Sequence, residues 1–353
     1  MDKKRNRIVS LLLVLTMLVS IFCVDAFAAG TKTNGYTDTA DGDTVKVVSQ
    51  KSYTIVNGVT ETDVILNDQT GDAQVMGYMA TISTDANVSL KATYDGYYRN
   101  YNASTGTSTW TPGNWSLSTT RRQVADYEAA TGKSVVFATN GDYFNMQTGQ
   151  PSGPMFLNGV NGNPGKLAAE PYFAVLKDGS YVIRDAGTDT SDVAEAVGSP
   201  FYLVKDGKNV ASIFNESLLP VNSVGFKADG TLVFFMADGR QYPTSVGMTQ
   251  SELADFLIAQ GIVTALYLDG GGSATYMSKR EGESEIAVRN SPSDGSERSI
   301  SSGFVLVAND EPDGVFDHAV VSPDGEFYTP GAVVNFELAG VDSAGGAAEL
   351  PES

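Results

Sequence analysis

Asp269-Gly270-Gly271-Gly272-Ser273 sets a carboxylate at the end of an apolar run and follows it with three glycines. The run before it, Ala265-Leu266-Tyr267-Leu268, reads as a buried strand. Such a strand fixes where the Asp269 carboxylate sits. Glycines let the chain turn sharply, let a ligand come close to the backbone, and offer amide N–H groups to a phosphate or a polar sugar. The plainer reading is a strand ending in a turn with one solvated Asp. It is weakened because a second stretch of the chain has the same layout.

That stretch is Val135-Val136-Phe137-Ala138-Thr139-Asn140-Gly141-Asp142-Tyr143-Phe144. Ahead of it the pattern predicts a helix over 118–131, with Val124, Tyr127 and Ala130 on one face and Gly132 as the stop. Ahead of Asp269 it predicts another, opened by a Thr249/Glu252 capping box, faced by Leu253, Phe256 and Leu257, and closed by Gly261. Gly132 precedes Asn140 by eight residues, and Gly261 precedes Asp269 by eight. Two strands of equal length can therefore deliver Asn140 and Asp269 to one sheet edge, where open α/β sheets bind ligands. Coincidence is the alternative, since helix-to-strand loops are commonly short.

Lys3, Lys4, Arg5 and Arg7, the apolar stretch 8–24 and Ala26-Phe27-Ala28 make residues 1–28 a secretory leader, cut after Ala28. The protein is then expected to be secreted or attached to the cell surface. No later segment is apolar enough to span a bilayer. The leader carries the single cysteine, Cys23, so disulfides contribute nothing to the mature chain. Without residues 1–28 the chain has 19 basic and 40 acidic residues, a balance of −21 against −19 for the whole. Nucleic acid is excluded as a partner because no basic patch offsets that charge. His318 is the sole histidine, which argues against Ser/His or Cys/His nucleophilic chemistry. Zinc lacks its usual ligands. No motif demands a cofactor; acidic and amide oxygens near the glycine loops would suit Ca²⁺, but no EF-hand-like spacing is present, so the metal question stays open.

Residues 29–50 read as an extended lead-in. Residues 51–308 read as an α+β domain, a β-rich mixed sheet with few helices. Within it Asp178-Gly179, Asp206-Gly207, Asp229-Gly230 and Asp238-Gly239 read as hairpin turns, which demand positive φ. Tyr97, Tyr98, Tyr101, Trp110 and Trp115 lie in a polar stretch, where they could stack on sugar rings or pack beneath a loop. From Pro312 to Ser353 the pattern changes to short runs separated by Pro323, Gly325, Pro330 and Gly331, the start of a β-sandwich-like module that stops before completion. The chain is thus expected to be a fragment of a longer protein.

Asn140-Gly141-Asp142-Tyr143-Phe144, the Pro151-Ser152-Gly153-Pro154 turn, Leu268-Asp269-Gly270-Gly271-Gly272-Ser273, and Asn290-Ser291-Pro292 leading to Glu297-Arg298 occur in this order. In them the chain resembles the phosphodiester glycosidase family. The resemblance implies cleavage between a sugar's anomeric carbon and phosphate, on cell-wall or exopolysaccharide glycans, with a glycan or sugar phosphate as partner. One departure stands out: Asn222-Ser223 occupies the place where family members often carry Arg-Thr, leaving Arg240, Arg289 and Arg298 as the basic candidates.

An oxocarbenium-like transition state calls for a nearby carboxylate and a second group that activates water or assists departure. Asp269 is the choice for the first, and Asp142 the candidate for the second; the plainer reading of Asp142 is a solvated loop residue. Asn140, with Gly141, would donate to a sugar hydroxyl or phosphate oxygen. The Gly270, Gly271 and Gly272 amides with Ser273 would cradle an oxyanion. Arg298 would pair with phosphate, or else with a neighbouring acid. Asn290 is the weakest substrate contact, since it more readily shapes the loop before Pro292. A catalytically silent glycan-binding or envelope-assembly module using the same cleft is the competing reading.

Overall fold

The structure, a computed structural model, describes residues 46–67, 73–211, 217–322, 333 and 335–351. The leader and most of the lead-in lie outside the described residues. The first strand, Lys46–Val56, begins inside the expected lead-in, because residues 46–50 pair with the far end of Val59–Asn67.

Three sheets build the domain. The largest has eight strands in the order Lys46–Val56, Val59–Asn67, Gln74–Ile82, Leu232–Ala237, Val221–Lys227, Ile262–Leu268, Tyr202–Lys205, Lys208–Asn209. A five-stranded sheet runs Ala287–Val288, Tyr276–Ser278, Val135–Asn140, Ser302–Ala308, Val88–Tyr94. A second runs Tyr181–Arg184, Tyr172–Leu176, Val193–Gly198, Met155–Leu157, Val160–Asn161. Every pairing between these strands is antiparallel, so the mixed sheet gives way to antiparallel ones. The physical reason is connectivity: each helix crosses between two strands of one sheet that run the same way, and a third strand slots between them antiparallel to both, Val221–Lys227 in the large sheet and Ser302–Ala308 in the smaller one.

Side-chain alternation sets the layers. Along Leu232–Ala237, Leu232, Phe234 and Met236 enter the core between sheets, while Val233, Phe235 and Ala237 enter a second core. That second core is capped by helix α2 (Gln250–Ala259), whose Phe256 ring lies 4.4 Å from Phe235. The predicted capping box is present, with Thr249 and Glu252 each bonding the other's backbone. Helix α1 (Thr120–Thr131) packs on the smaller sheet that holds Val135–Asn140, and Gly132 ends it at φ 72°. Between the sheets, Phe137, Phe234, Phe304 and Phe173 meet at centroid distances of 5.1–6.4 Å.

Three of the four Asp-Gly pairs sit in hairpins: Asp178-Gly179, Asp206-Gly207 and Asp229-Gly230 join adjacent antiparallel strands. Asp238-Gly239 does not, and its carboxylate is buried. Of the aromatics, Tyr97 and Tyr98 are buried and Tyr98 packs edge-on against Tyr127, with Trp110 and Trp115 leaning on Tyr94; they serve packing. Beyond the domain, His318–Ser322, Glu337–Val341 and Ala347–Ala348 form one three-stranded antiparallel sheet among the described residues.

Candidate functional site

Val135–Asn140 and Ile262–Leu268 belong to different sheets, so Asn140 and Asp269 do not share one sheet edge as expected. They meet instead where the two sheets face each other. The Asp269 amide donates to Gly141 O at 2.8 Å, and Asn140 Nδ2 donates to Asp269 O at 2.6 Å. Asn140 Oδ1 accepts from Thr275 N at 3.0 Å and from Asn222 Nδ2 at 3.1 Å. Asn140 is fully buried and engaged on both sides of its amide, so it holds the Asp269 backbone in place. Asn222 completes this brace, also donating to Thr139 Oγ1 and Asn140 O.

Three carboxyl groups converge from separate segments. Asp269 is part-exposed, and burial pushes its pKa up to about 7, against the downward pull of a Ser273 hydrogen bond and the Arg298 charge. Asp142 is buried rather than solvated. Its Oδ2 accepts the Gly153 amide at 2.7 Å, while burial and the neighbouring Glu170 charge hold its pKa well above the usual carboxylate range. Glu170, half-buried, hydrogen-bonds Asp142 and is itself raised by burial. One oxygen of each finds no other donor, and a proton shared between the two carboxyls satisfies both.

Glycines make room for that pair. A Cβ on Gly198 would lie 2.7 Å from Asp142 Oδ2, and one on Gly153 would lie 2.8 Å from Glu170 Oε2. Sequence reading missed Glu170. Its only signal is its place beside Pro171, directly ahead of the buried strand Tyr172–Leu176.

The triple glycine forms a single tight turn, Gly271–Ser273. The Gly271 amide is used by Pro220 O at 2.8 Å and the Ser273 amide by Gly270 O at 3.2 Å, so those two do not serve an oxyanion. The glycines are needed for a different reason, the close approach of side chains. A Cβ on Gly270 would lie 2.5 Å from the Tyr267 hydroxyl, and one on Gly271 3.3 Å from Arg240 Nη2; one on Gly272 would collide with Arg298 and Asp294. Arg298 pairs with Asp294 at 2.7 Å and donates to Ser273 Oγ at 3.4 Å. Glu297 pairs with Arg121 instead. Arg289 braces its own hairpin, donating to Ser278 Oγ and pairing with Glu283.

Asn290 is buried and shapes its loop: Nδ2 donates to Ala274 O and Asp238 Oδ1, and Oδ1 accepts Tyr276 N at 2.8 Å. Asp238, read from sequence as a turn residue, accepts Ser291 N at 3.0 Å and Tyr78 Oη at 3.4 Å. Burial pushes its pKa to about 6. The aromatic side of the site is Phe201 stacked on Tyr267 at 5.0 Å, with Tyr143 at 6.2 Å. Burial and the Asp269 charge push the Tyr143 hydroxyl to about 12. Among the described residues no group of three or more His, Cys, Asp and Glu side chains is arranged to hold a metal, and no helix is long and apolar enough to cross a membrane.

Residues 133–307 match the family model described as phosphodiester glycosidase. Over 179 residues the chain is 25% identical to N-acetylglucosamine-1-phosphodiester alpha-N-acetylglucosaminidase of Bos taurus, covering 44% of this chain and 34% of that protein. The Homo sapiens counterpart is 26% identical over 181 residues, with the same coverage. The chain thus spans about a third of the length of these curated relatives. Among solved structures, the zebrafish catalytic domain of that enzyme, auto-inhibited by its pro-peptide, superposes with a TM-score of 0.53 at 20% identity. That alignment covers 73% of this chain and 88% of the zebrafish one, and it establishes a shared fold.

Proposed function

We propose that this chain, whose residues 133–307 match the phosphodiester glycosidase family model, hydrolyses the bond between a sugar's anomeric carbon and phosphate in glycosyl phosphodiesters. Its substrates are cell-wall or exopolysaccharide glycans, met outside the membrane after export. The observation that carries this reading is a part-exposed carboxylate, Asp269, beside a second carboxyl pair, Asp142 and Glu170, each with one buried oxygen that finds no other donor.

Water adds to the anomeric carbon, the carbon–oxygen bond to phosphate breaks, and the phosphate departs as a monoester. Asp269, ionised as pH passes neutrality, stabilises the positive charge that develops on the sugar or takes the proton from the attacking water. A phosphate monoester is a good leaving group, so little acid assistance is needed. What is needed comes from Glu170, the more exposed member of the pair, with Asp142 holding it in place. Asn140 acts at one remove by fixing the Asp269 backbone. The Phe201–Tyr267–Tyr143 surface offers an apolar face for a sugar ring.

The test is sugar release from a panel of sugar 1-phosphodiesters. Turnover by the wild type, lost in Asp269→Asn with near-UV circular dichroism unchanged, supports the hydrolase. Its rate should climb with pH through an apparent pKa near 7. A wild type that binds panel members without cleaving any supports the silent glycan-binding module. Asn222 favours that second reading, because its amide is committed to Thr139 and Asn140 where an arginine would reach for phosphate.

A further inference from the structure

We infer that Arg240 is the anion-gripping residue of this site, holding the phosphate on the leaving-group side of the scissile bond. The inference deepens the proposed function and rests on it for naming that anion a phosphodiester. Every other described arginine forms an ion pair with an Asp or Glu. Arg240 is exposed and pairs with no carboxylate among the described residues. In a chain of net charge −19, an uncompensated guanidinium is the exception.

Its backbone is aimed with unusual care. Arg240 sits at φ 61°, a left-handed conformation that L residues other than Asn and Asp rarely adopt. The turn that imposes it is tied by Arg240 N to Val246 O at 3.2 Å, Gln241 N to Ser245 O at 2.8 Å and Ser245 Oγ to Asp238 O at 2.7 Å. Gln241 Nε2 anchors it to Ser291 O at 2.8 Å. Gly239 lies so close to the next segment that a Cβ would fall 2.5 Å from Pro220 N, and Pro220 O in turn holds the Gly271 amide. The strained turn, residues 219–220 and the glycine loop therefore stack, and the guanidinium comes to rest over Gly271.

Arg298 occupies the same position over Gly272. Two guanidinium groups thus lie on successive glycines, whose Cα atoms are about 3.8 Å apart. Arg298 gives part of its fork to Asp294 and Ser273. Arg240 keeps its whole fork, the planar donor set that meets phosphate oxygens two at a time.

Isothermal titration of the full chain with inorganic phosphate near neutral pH tests this apart from turnover. The wild type should bind, and Arg240→Gln should bind roughly ten- to hundredfold more weakly. Arg240→Gly should lose as much affinity while melting no lower than the wild type, since glycine adopts that φ freely. Arg184→Gln, a surface pair with Asp192, should titrate like the wild type. A wild type that ignores phosphate, or variants at Arg240 that bind it unchanged, overturns the inference. Loss of phosphate binding in both variants of a wild type without turnover would sink the hydrolase reading and keep Arg240 as the anion-gripping residue. Phosphodiester turnover with an unchanged KM in Arg240→Gly would do the reverse.

Discussion

At the end of Val135–Asn140 the polar groups turn inward: Asn140 and Asp142 are buried, with Asn140 bonded on both sides of its amide and Asp142 holding the Gly153 amide. At the end of Ile262–Leu268 the layout is the same, a polar residue before glycine, yet Asp269 remains part-exposed with two guanidinium groups beside its loop. One strand end is a brace and the other is a working edge. The difference lies in what surrounds them. The first points into the junction of the sheets, where Thr275, Asn222 and Gly153 supply partners. The second emerges where three consecutive glycines leave space that side chains from elsewhere fill.

The largest expected effect breaks the comparison at its working end. Asp269→Asn should reduce kcat by roughly 10²–10⁴-fold while leaving the near-UV circular dichroism spectrum intact. Normal turnover in that variant would remove the distinction between the two ends. Asn140→Ala strikes the brace. It deletes the bond to Asp269 O and strands one buried donor, Thr275 N, while Asn222 Nδ2 keeps Thr139 Oγ1 and Asn140 O. Urea unfolding should register a loss of roughly 2–4 kcal/mol. A loss below about 0.5 kcal/mol, typical of a surface substitution, would mean Asn140 is no brace.

The two strand ends were legible in the sequence, but the contrast between them was not, since both were read as facing the ligand. Both helices and their caps were readable because capping is local: Thr249, Glu252, Gly132 and the apolar spacing lie within a few residues of each other. That Asn140 and Asp269 come together was anticipated, but through a shared sheet edge, whereas the two strands lie in different sheets. Which sheets those strands joined could not be anticipated, since antiparallel pairing such as Val224 with Leu266 is decided by partners far along the chain. Glu170 was invisible because its partner is 28 residues away and no local pattern marks a carboxyl pair. Asp238 was misread for the converse reason: its local Asp-Gly signal is that of a hairpin, while Asn290 and Ser291 claim its carboxylate.

Glycine substitutions sharpen the comparison at a smaller scale. Gly198→Ala places a Cβ 2.7 Å from both Asp142 Oδ2 and the Gly153 Cα, backbone that cannot yield. A cost of about 1–3 kcal/mol is expected. Gly272→Ala meets the ends of Arg298 and Asp294, part-exposed side chains that can swing away. Its stability should change by under about 1 kcal/mol, with the damage falling on KM for a phosphodiester. Equal thermal shifts in the two variants would erase the division between brace and edge.

The smallest effect is in pH dependence, and its sign follows from the direction of the shifts. Asp269 titrates at about 7 in the folded chain and near its ordinary 3.8 when unfolded. Between those values the folded protein holds a proton that the unfolded one has released, so folding is favoured most below pH 4 and progressively less as pH rises through 7. Asp269→Asn removes that decline. Discounted for partial exposure, the variant should gain roughly 1–2 kcal/mol over the wild type between pH 4 and pH 8. Asp142 is raised in the same direction, by burial and by Glu170. The stability gap between Asp142→Asn and the wild type should therefore also move in favour of the variant as pH rises. Denaturant titrations of both variants across pH 5 to 9 read this directly, and a gap that stays flat with pH in either variant would mean that strand end holds no raised carboxyl.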